Sequence, residues 1–182
     1  MSTFRRVVTG HAANGKSIVA SDSKVHGVAV PGLPGVFLTT MWGADQVQTY
    51  PDNGDEPPHP TWFSPIGGMR FFEVILAPDS TPPDTRLSPE KIALEAERLF
   101  PGLLAHFDPE DPGMHRSATT DTLYVVAGRC VLELDDGSST ELKAGDVIVQ
   151  NGTMHRWKNP WEEPCRIIGA LVGAHLKVAP PN

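Results

Sequence analysis

The run from Gly113 to Asn159, GMHRSATTDTLYVVAGRCVLELDDGSSTELKAGDVIVQNGTMHRWKN, admits few folds. It alternates apolar and polar residues between two histidine-bearing segments, His115–Val126 and Thr153–Lys158, both expected as strands. Turn signals break it at Ala127-Gly128, Asp136-Gly137 and Ala144-Gly145. Alternation at period two puts one face of each segment toward a core and the other toward solvent. Short strands separated by glycine turns specify a closed antiparallel β structure rather than βαβ units. Asp136-Gly137 is the strongest local hairpin signal and predicts a type I′ turn, whose two central residues both need positive φ.

Residues with chemistry sit at the ends of that run. His115, Ser117 and Asp121 come from one segment, His155 and Asn159 from the other. Residues two apart on a strand share a face, so His115 goes with Ser117 and His155 with Trp157, while Arg116 and Arg156 turn outward. A barrel joining the two segments gathers two imidazoles and one carboxylate around a single point.

These residues resemble the two short motifs of the cupins, a superfamily of small β-barrels. Gly113, His115, Ser117, Asp121 and Gly128 follow the first motif; Gly145, Gln150, Gly152, His155 and Asn159 follow the second. Three positions depart from it. Ser117 stands where a second histidine belongs, Asp121 replaces a glutamate, and Gln150 replaces a proline. The resemblance implies an all-β chain: a single double-stranded β-helix (jelly-roll) barrel with extra N-terminal strands and one short helix. Residues 69–177 would form the barrel core, and 1–68 the N-terminal strands and a Pro-rich loop packed on or between barrels. It also implies a homodimer through the N-terminal strands. The reaction does not follow from it, since one scaffold hosts many chemistries.

Along the chain, Phe4–Thr9 and Ser17–Ala20 flank an Asn14-Gly15 turn, and Val25–Val30 and Val36–Trp42 are further strand candidates. Gly43–Pro65, dense in Asp, Pro and Gly, reads as a surface loop or as a lid bringing Trp42, Trp62 or Phe63 to the barrel mouth. Met69–Ala77 alternates, with Arg70, Phe72 and Val74 set against Phe71, Glu73 and Ile75. A Pro-rich turn over Ser80–Arg86 leads to one helix, capped by Ser88 with Pro89 at its first position, carrying Ile92, Ala96 and Leu99 on one stripe and stopped by Pro101-Gly102. Leu103–Phe107 is apolar, and Asp108–Gly113 is an acidic turn delivering the chain to His115. Cys165–Val172 reads as the closing strand, followed by a frayed tail beyond Lys177.

A chain of 182 residues with 40% hydrophobic and 20% charged residues suits one domain. A net charge of −7 without a Lys/Arg cluster argues against a nucleic-acid partner. No apolar run approaches the ~20 residues of a membrane helix. No apolar stretch follows Arg5 and Arg6, so no secretory signal is expected and the expected compartment is the cytoplasm. Cys130 and Cys165 read as reduced, buried thiols, with a disulfide between them as the alternative.

Imidazole and carboxylate together suit Fe, Mn, Ni, Zn or Cu, and two histidines with one carboxylate leave open coordination positions. His115, Asp121 and His155 are therefore the expected metal ligands and catalytic residues, with His106 as a substitute ligand. The opposing expectation is a degraded site that binds no metal, because Ser117 is a poor ligand and aspartate is short. Without a metal, a carboxylate beside an imidazole would raise the histidine pKa and support acid–base work. Ser117, Tyr124, Gln150, Trp157 and Trp42 are the expected substrate-pocket residues. No nucleophile elbow, P-loop or dinucleotide fingerprint appears, so no nucleotide cofactor is expected. The sequence thus points to a small enzyme acting on a carboxylated or aromatic metabolite by decarboxylation, dehydration, isomerisation or oxygenation, of lyase, isomerase or dioxygenase type. The alternative is a non-catalytic small-molecule-binding protein.

Overall fold

A computed structural model of the chain describes residues 2–83 and 87–177. Eleven strands and one helix follow in order: β1 (Thr3–His11), β2 (Ser17–His26), β3 (Val28–Ala29), β4 (Phe37–Ala44), β5 (Met69–Leu76), α1 (Pro89–Leu99), β6 (Thr119–Ala127), β7 (Arg129–Leu134), β8 (Ser139–Lys143), β9 (Val147–Asn151), β10 (His155–Lys158) and β11 (Cys165–Gly173). A six-stranded sheet, β3-β4-β5-β11-β6-β9, faces a three-stranded sheet, β10-β7-β8, and β1-β2 form a separate hairpin. Every strand pairing is antiparallel. Over the described residues the chain is a mostly-β, single cupin-type barrel with one short α-helix, as its motifs imply. The core joins both sheets: Phe72, Leu123, Val125, Cys130, Leu142, Ile148, Cys165 and Ile167 are buried together.

Several local expectations shift. The strand expected from His115 begins at Thr119, and His115 itself is held by isolated bridges to Phe107 and His155. The Asp136-Gly137 hairpin is not type I′. Gly137 has φ 82°, but no non-glycine residue has positive φ among the described residues. Leu134 N–H donates to Ser138 O at 2.9 Å, which closes a three-residue loop with glycine in the left-handed position. The helix keeps its Ser88 cap, which accepts from Lys91 N, and the chain leaves it at Phe100. Cys130 and Cys165 are free, buried thiols. The frayed-tail expectation beyond Lys177, and residues 84–86 of the Pro-rich turn, lie outside the described residues.

Two ionic groups organise the sheet. Glu73, on the outer face of β5, has no exposed surface and accepts from Arg166 of β11 at 2.6 and 2.9 Å. Arg70, buried on the inner face, donates to Ala44 O, Met69 O and Thr61 O and to the Asp45 carboxylate. One guanidinium thereby ties the start of the long loop after β4, and Thr61 within it, to the barrel. Residues 45–68 have no helix or strand of their own, and Arg70 supplies what the loop backbone lacks.

Candidate functional site: a paired-histidine cavity

His115 and His155 exchange backbone hydrogen bonds, N to O, at 2.8 and 2.9 Å. Directly opposed residues on an antiparallel pair project to the same side, and the two ring centroids lie 4.3 Å apart. Each ring is turned by its own chain. His115 Nδ1 lies 3.0 Å from Gly113 O, and His155 Nδ1 lies 2.9 Å from Thr153 O. A carbonyl only accepts, so each Nδ1 carries the proton and each Nε2 keeps a free lone pair. Phe107 stacks on His115 at 4.7 Å, and Trp157 meets His155 edge-on at 5.8 Å.

Both rings border a cavity of about 170 Å³ inside the barrel. Its walls include Val36, Leu38, Phe72, Val74, Leu123 and Leu171 from the sheets, Trp62 and Phe63 from the long loop, and Leu103 and Phe107 from the approach to His115. His115, Asp121 and His155 are the ionisable residues of the lining, and no Lys or Arg is among the described residues that form it. Burial dominates the electrostatics. It lowers the His115 pKa to about 4, helped by the neighbouring His155, and lowers that of His155 as well. Burial also raises the Asp121 pKa to about 6, against a hydrogen bond from Thr119 that pulls it down. Near neutral pH the imidazoles are uncharged, and Asp121 lies close to its titration range.

Asp121 is served by its own strand. Thr119 Oγ1 donates to Asp121 Oδ1 at 2.5 Å, and Ser117 Oγ lies 2.6 Å from Thr119 Oγ1. The single hydroxyl proton of Thr119 is committed to Asp121, so Ser117 donates to Thr119. Residues 117, 119 and 121 thus form a buried chain of side chains ending on the carboxylate.

Residues 103–171 match the family model described as the cupin domain. This chain carries a cupin domain. A phomopsin biosynthesis cluster protein C′ from Diaporthe leptostromiformis is 50% identical over 105 residues, covering 52% of this chain and 56% of that protein. A cupin-domain-containing oxidoreductase, virC, from Hypocrea virens is 41% identical over 46 residues, 25% of this chain and 24% of its own. The chain thus spans between about a quarter and little more than half of the curated relatives' lengths described here. Among solved structures, the polyketide cyclase RemF from Streptomyces resistomycificus aligns at a TM-score of 0.44 and 18% identity, covering 81% of this chain and 72% of that one.

Within this cupin barrel the residues singled out from sequence separate into two groups. His115, Asp121, His155 and Trp157 line the cavity. Ser117, Tyr124, Gln150 and Trp42 do not. Ser117 is spent on Thr119. Tyr124 is 47% exposed, because β6 alternates and Asp121 claims the inner face. Gln150 faces inward but donates to Thr153 O, the same carbonyl that orients His155. Trp42 lies under the Arg6 guanidinium, 5.4 Å from it, against the β1-β2 hairpin. His106 packs on Phe63 at 4.3 Å, with Nδ1 2.8 Å from Gly102 O, and is not part of the cavity wall. Arg156 turns outward to Glu133 and Asp111.

The three-ligand metal set does not form as expected. Asp121 is bonded to Thr119 and shows no hydrogen bond or ion pair to either imidazole, and no group of three His, Cys, Asp or Glu able to hold a metal occurs among the described residues. The donor set offers two imidazole nitrogens, while the Asp121 carboxylate on the same cavity wall is engaged by Thr119. The expected rise of a histidine pKa beside a carboxylate does not occur: burial lowers both, and only the carbonyls of Gly113 and Thr153 oppose it. Sequence reasoning did not single out Phe107 as a wall of the site. Its signal was the apolar run 103–107 folded back on His115 by an acidic, proline-containing turn.

Proposed function

We propose that this cupin is a small-molecule enzyme that moves a proton on a compact organic substrate inside the barrel. Two oriented Nε2 lone pairs and an ionisable Asp121 converge on one otherwise apolar cavity, and that observation carries the reading. Asp121, with a pKa of about 6, takes or returns the proton near neutral pH. His115 and His155, held neutral, accept hydrogen bonds from the substrate and fix its orientation. Isomerisation, dehydration and cyclisation all need such a step. The phomopsin relative is named for a biosynthesis cluster, which supports a role in small-molecule metabolism. A cytoplasmic location and a homodimer accompany this reading, and fractionation and light scattering test them.

Deleting the gene and profiling metabolites tests the proposal. A precursor should accumulate, disappear on complementation with the wild-type chain, and persist with Asp121→Asn or His155→Ala. Full complementation by either variant would remove that residue from the chemistry.

A second reading is a non-catalytic binding protein, favoured by the hydroxyl at Ser117 and the missing third ligand. It predicts that Asp121→Asn complements, whereas Leu123→Trp, which fills the cavity, does not.

A further inference from the structure

We infer that the cavity selects an uncharged aromatic ring bearing an O–H or N–H donor, of the phenol or indole class, and rejects ring carboxylates. The inference rests on the cavity being the substrate site and narrows what enters it.

Hydrogen-bond polarity decides the functional group. The protons on both Nδ1 atoms are committed to Gly113 O and Thr153 O, so the two Nε2 atoms present acceptors only. A phenol or an indole supplies the donor those lone pairs lack. A carboxylate brings more acceptors and meets no partner at either Nε2. Charge points the same way. With no Lys or Arg in the described lining, an anion would shed its water without compensation.

Size and wall chemistry decide the ring. The cavity holds about 170 Å³, close to the roughly 150 Å³ of apolar cavities that take up benzene. Trp62, Phe63, Phe72, Phe107 and Trp157 surround it, and aromatic walls favour offset or edge contacts with another ring.

Calorimetric titration of the full chain with phenol, indole, toluene and benzoate tests this. Phenol and indole should bind, toluene about tenfold more weakly for want of a hydrogen bond to Nε2, and benzoate more weakly still. His155→Leu should reduce the preference for phenol over toluene while retaining toluene, whose binding reports an intact cavity. Should that variant fail to fold, the four wild-type affinities decide alone. Benzoate binding as tightly as phenol, toluene matching phenol, or no binding of phenol and indole would each overturn the inference. If the deletion strain still accumulates a precursor while the rings fail to bind, the ligand class is wrong and the enzyme reading stands. If the rings bind as ranked but deletion changes no metabolite, the ligand class stands and the enzyme reading falls.

Discussion

His115 and His155 form a reciprocal backbone pair, each donating its N–H to the other's carbonyl at 2.8 and 2.9 Å, and the ring spacing of 4.3 Å follows from that pairing. Forty residues apart in sequence, they meet because β6, β7 and β10 wind around one cavity.

The pairing uses backbone atoms alone, so it survives loss of either imidazole. His115→Ala and His155→Ala should keep the barrel, with urea-unfolding free energies within about 2 kcal/mol of wild type. Each should lose phenol affinity by about tenfold or more, as removal of one hydrogen bond in a desolvated site predicts. Loss of cooperative unfolding in either variant would show that the rings, and not the backbone pair, hold the two segments together.

Stability against pH separates Asp121 from His115. The native Asp121 pKa of about 6 exceeds its ordinary 3.8, so its contribution is full below 3.8 and is lost as pH rises through 6. The native His115 pKa of about 4 lies under its ordinary 6.5, so its contribution is full above 6.5 and is lost as pH falls through 4. Between pH 4 and 6 the two slopes oppose each other. Asp121→Asn removes the falling one and still accepts from Thr119. The stability of the variant relative to wild type should climb with pH across that interval and level off above it, by at most about 3 kcal/mol. A difference independent of pH would place Asp121 at an ordinary carboxylate pKa and withdraw it as a proton carrier near neutrality.

Glu73 and Arg166 offer a test away from the cavity. The carboxylate is fully buried, and its strong partner is one guanidinium at 2.6 Å, with Thr39 Oγ1 more distant at 3.5 Å. Arg166→Ala strands a buried charge and should cost about 3–5 kcal/mol in urea unfolding. The pair Glu73→Gln with Arg166→Ala should recover a large part of that loss. If the single variant costs under about 1 kcal/mol, the pair behaves as a solvated surface contact.

The sequence pattern made the barrel and its paired histidines legible because both rest on short-range signals: period-two alternation, glycine turns and a histidine near each end of one run. Trp157 was legible for the same reason, being two residues from His155 on one strand. Tyr124 was misread because it differs from Asp121 by an odd number of positions, which on a strand means opposite faces. Gln150 and Ser117 have the correct inward direction, but each is consumed by a neighbour two or three residues away, and alternation carries no information about that. Arg70 was visible as a charge on an otherwise apolar strand face. Of its partners, Ala44 ends β4, and Asp45 and Thr61 lie in a segment with no periodicity, so nothing in the sequence announced that it anchors the loop carrying Trp62.

That loop closes the cavity through a contact at the far end of β11. Gly173 bridges Ile66 in parallel and donates its N–H to Gly68 O at 3.0 Å, and a Cβ at Gly173 would overlap the Pro65 carbonyl. Pro65 is backbone in a restrained segment and cannot yield as a flexible side chain would. Gly173→Ala should therefore displace residues 63–68, and with them Phe63 from the cavity wall. The expected result is a loss of about 1–3 kcal/mol in stability together with weaker indole binding, while the circular dichroism of the barrel is unchanged. Unaltered indole affinity in a variant with that loss of stability would mean that the loop covers the barrel without shaping what it holds.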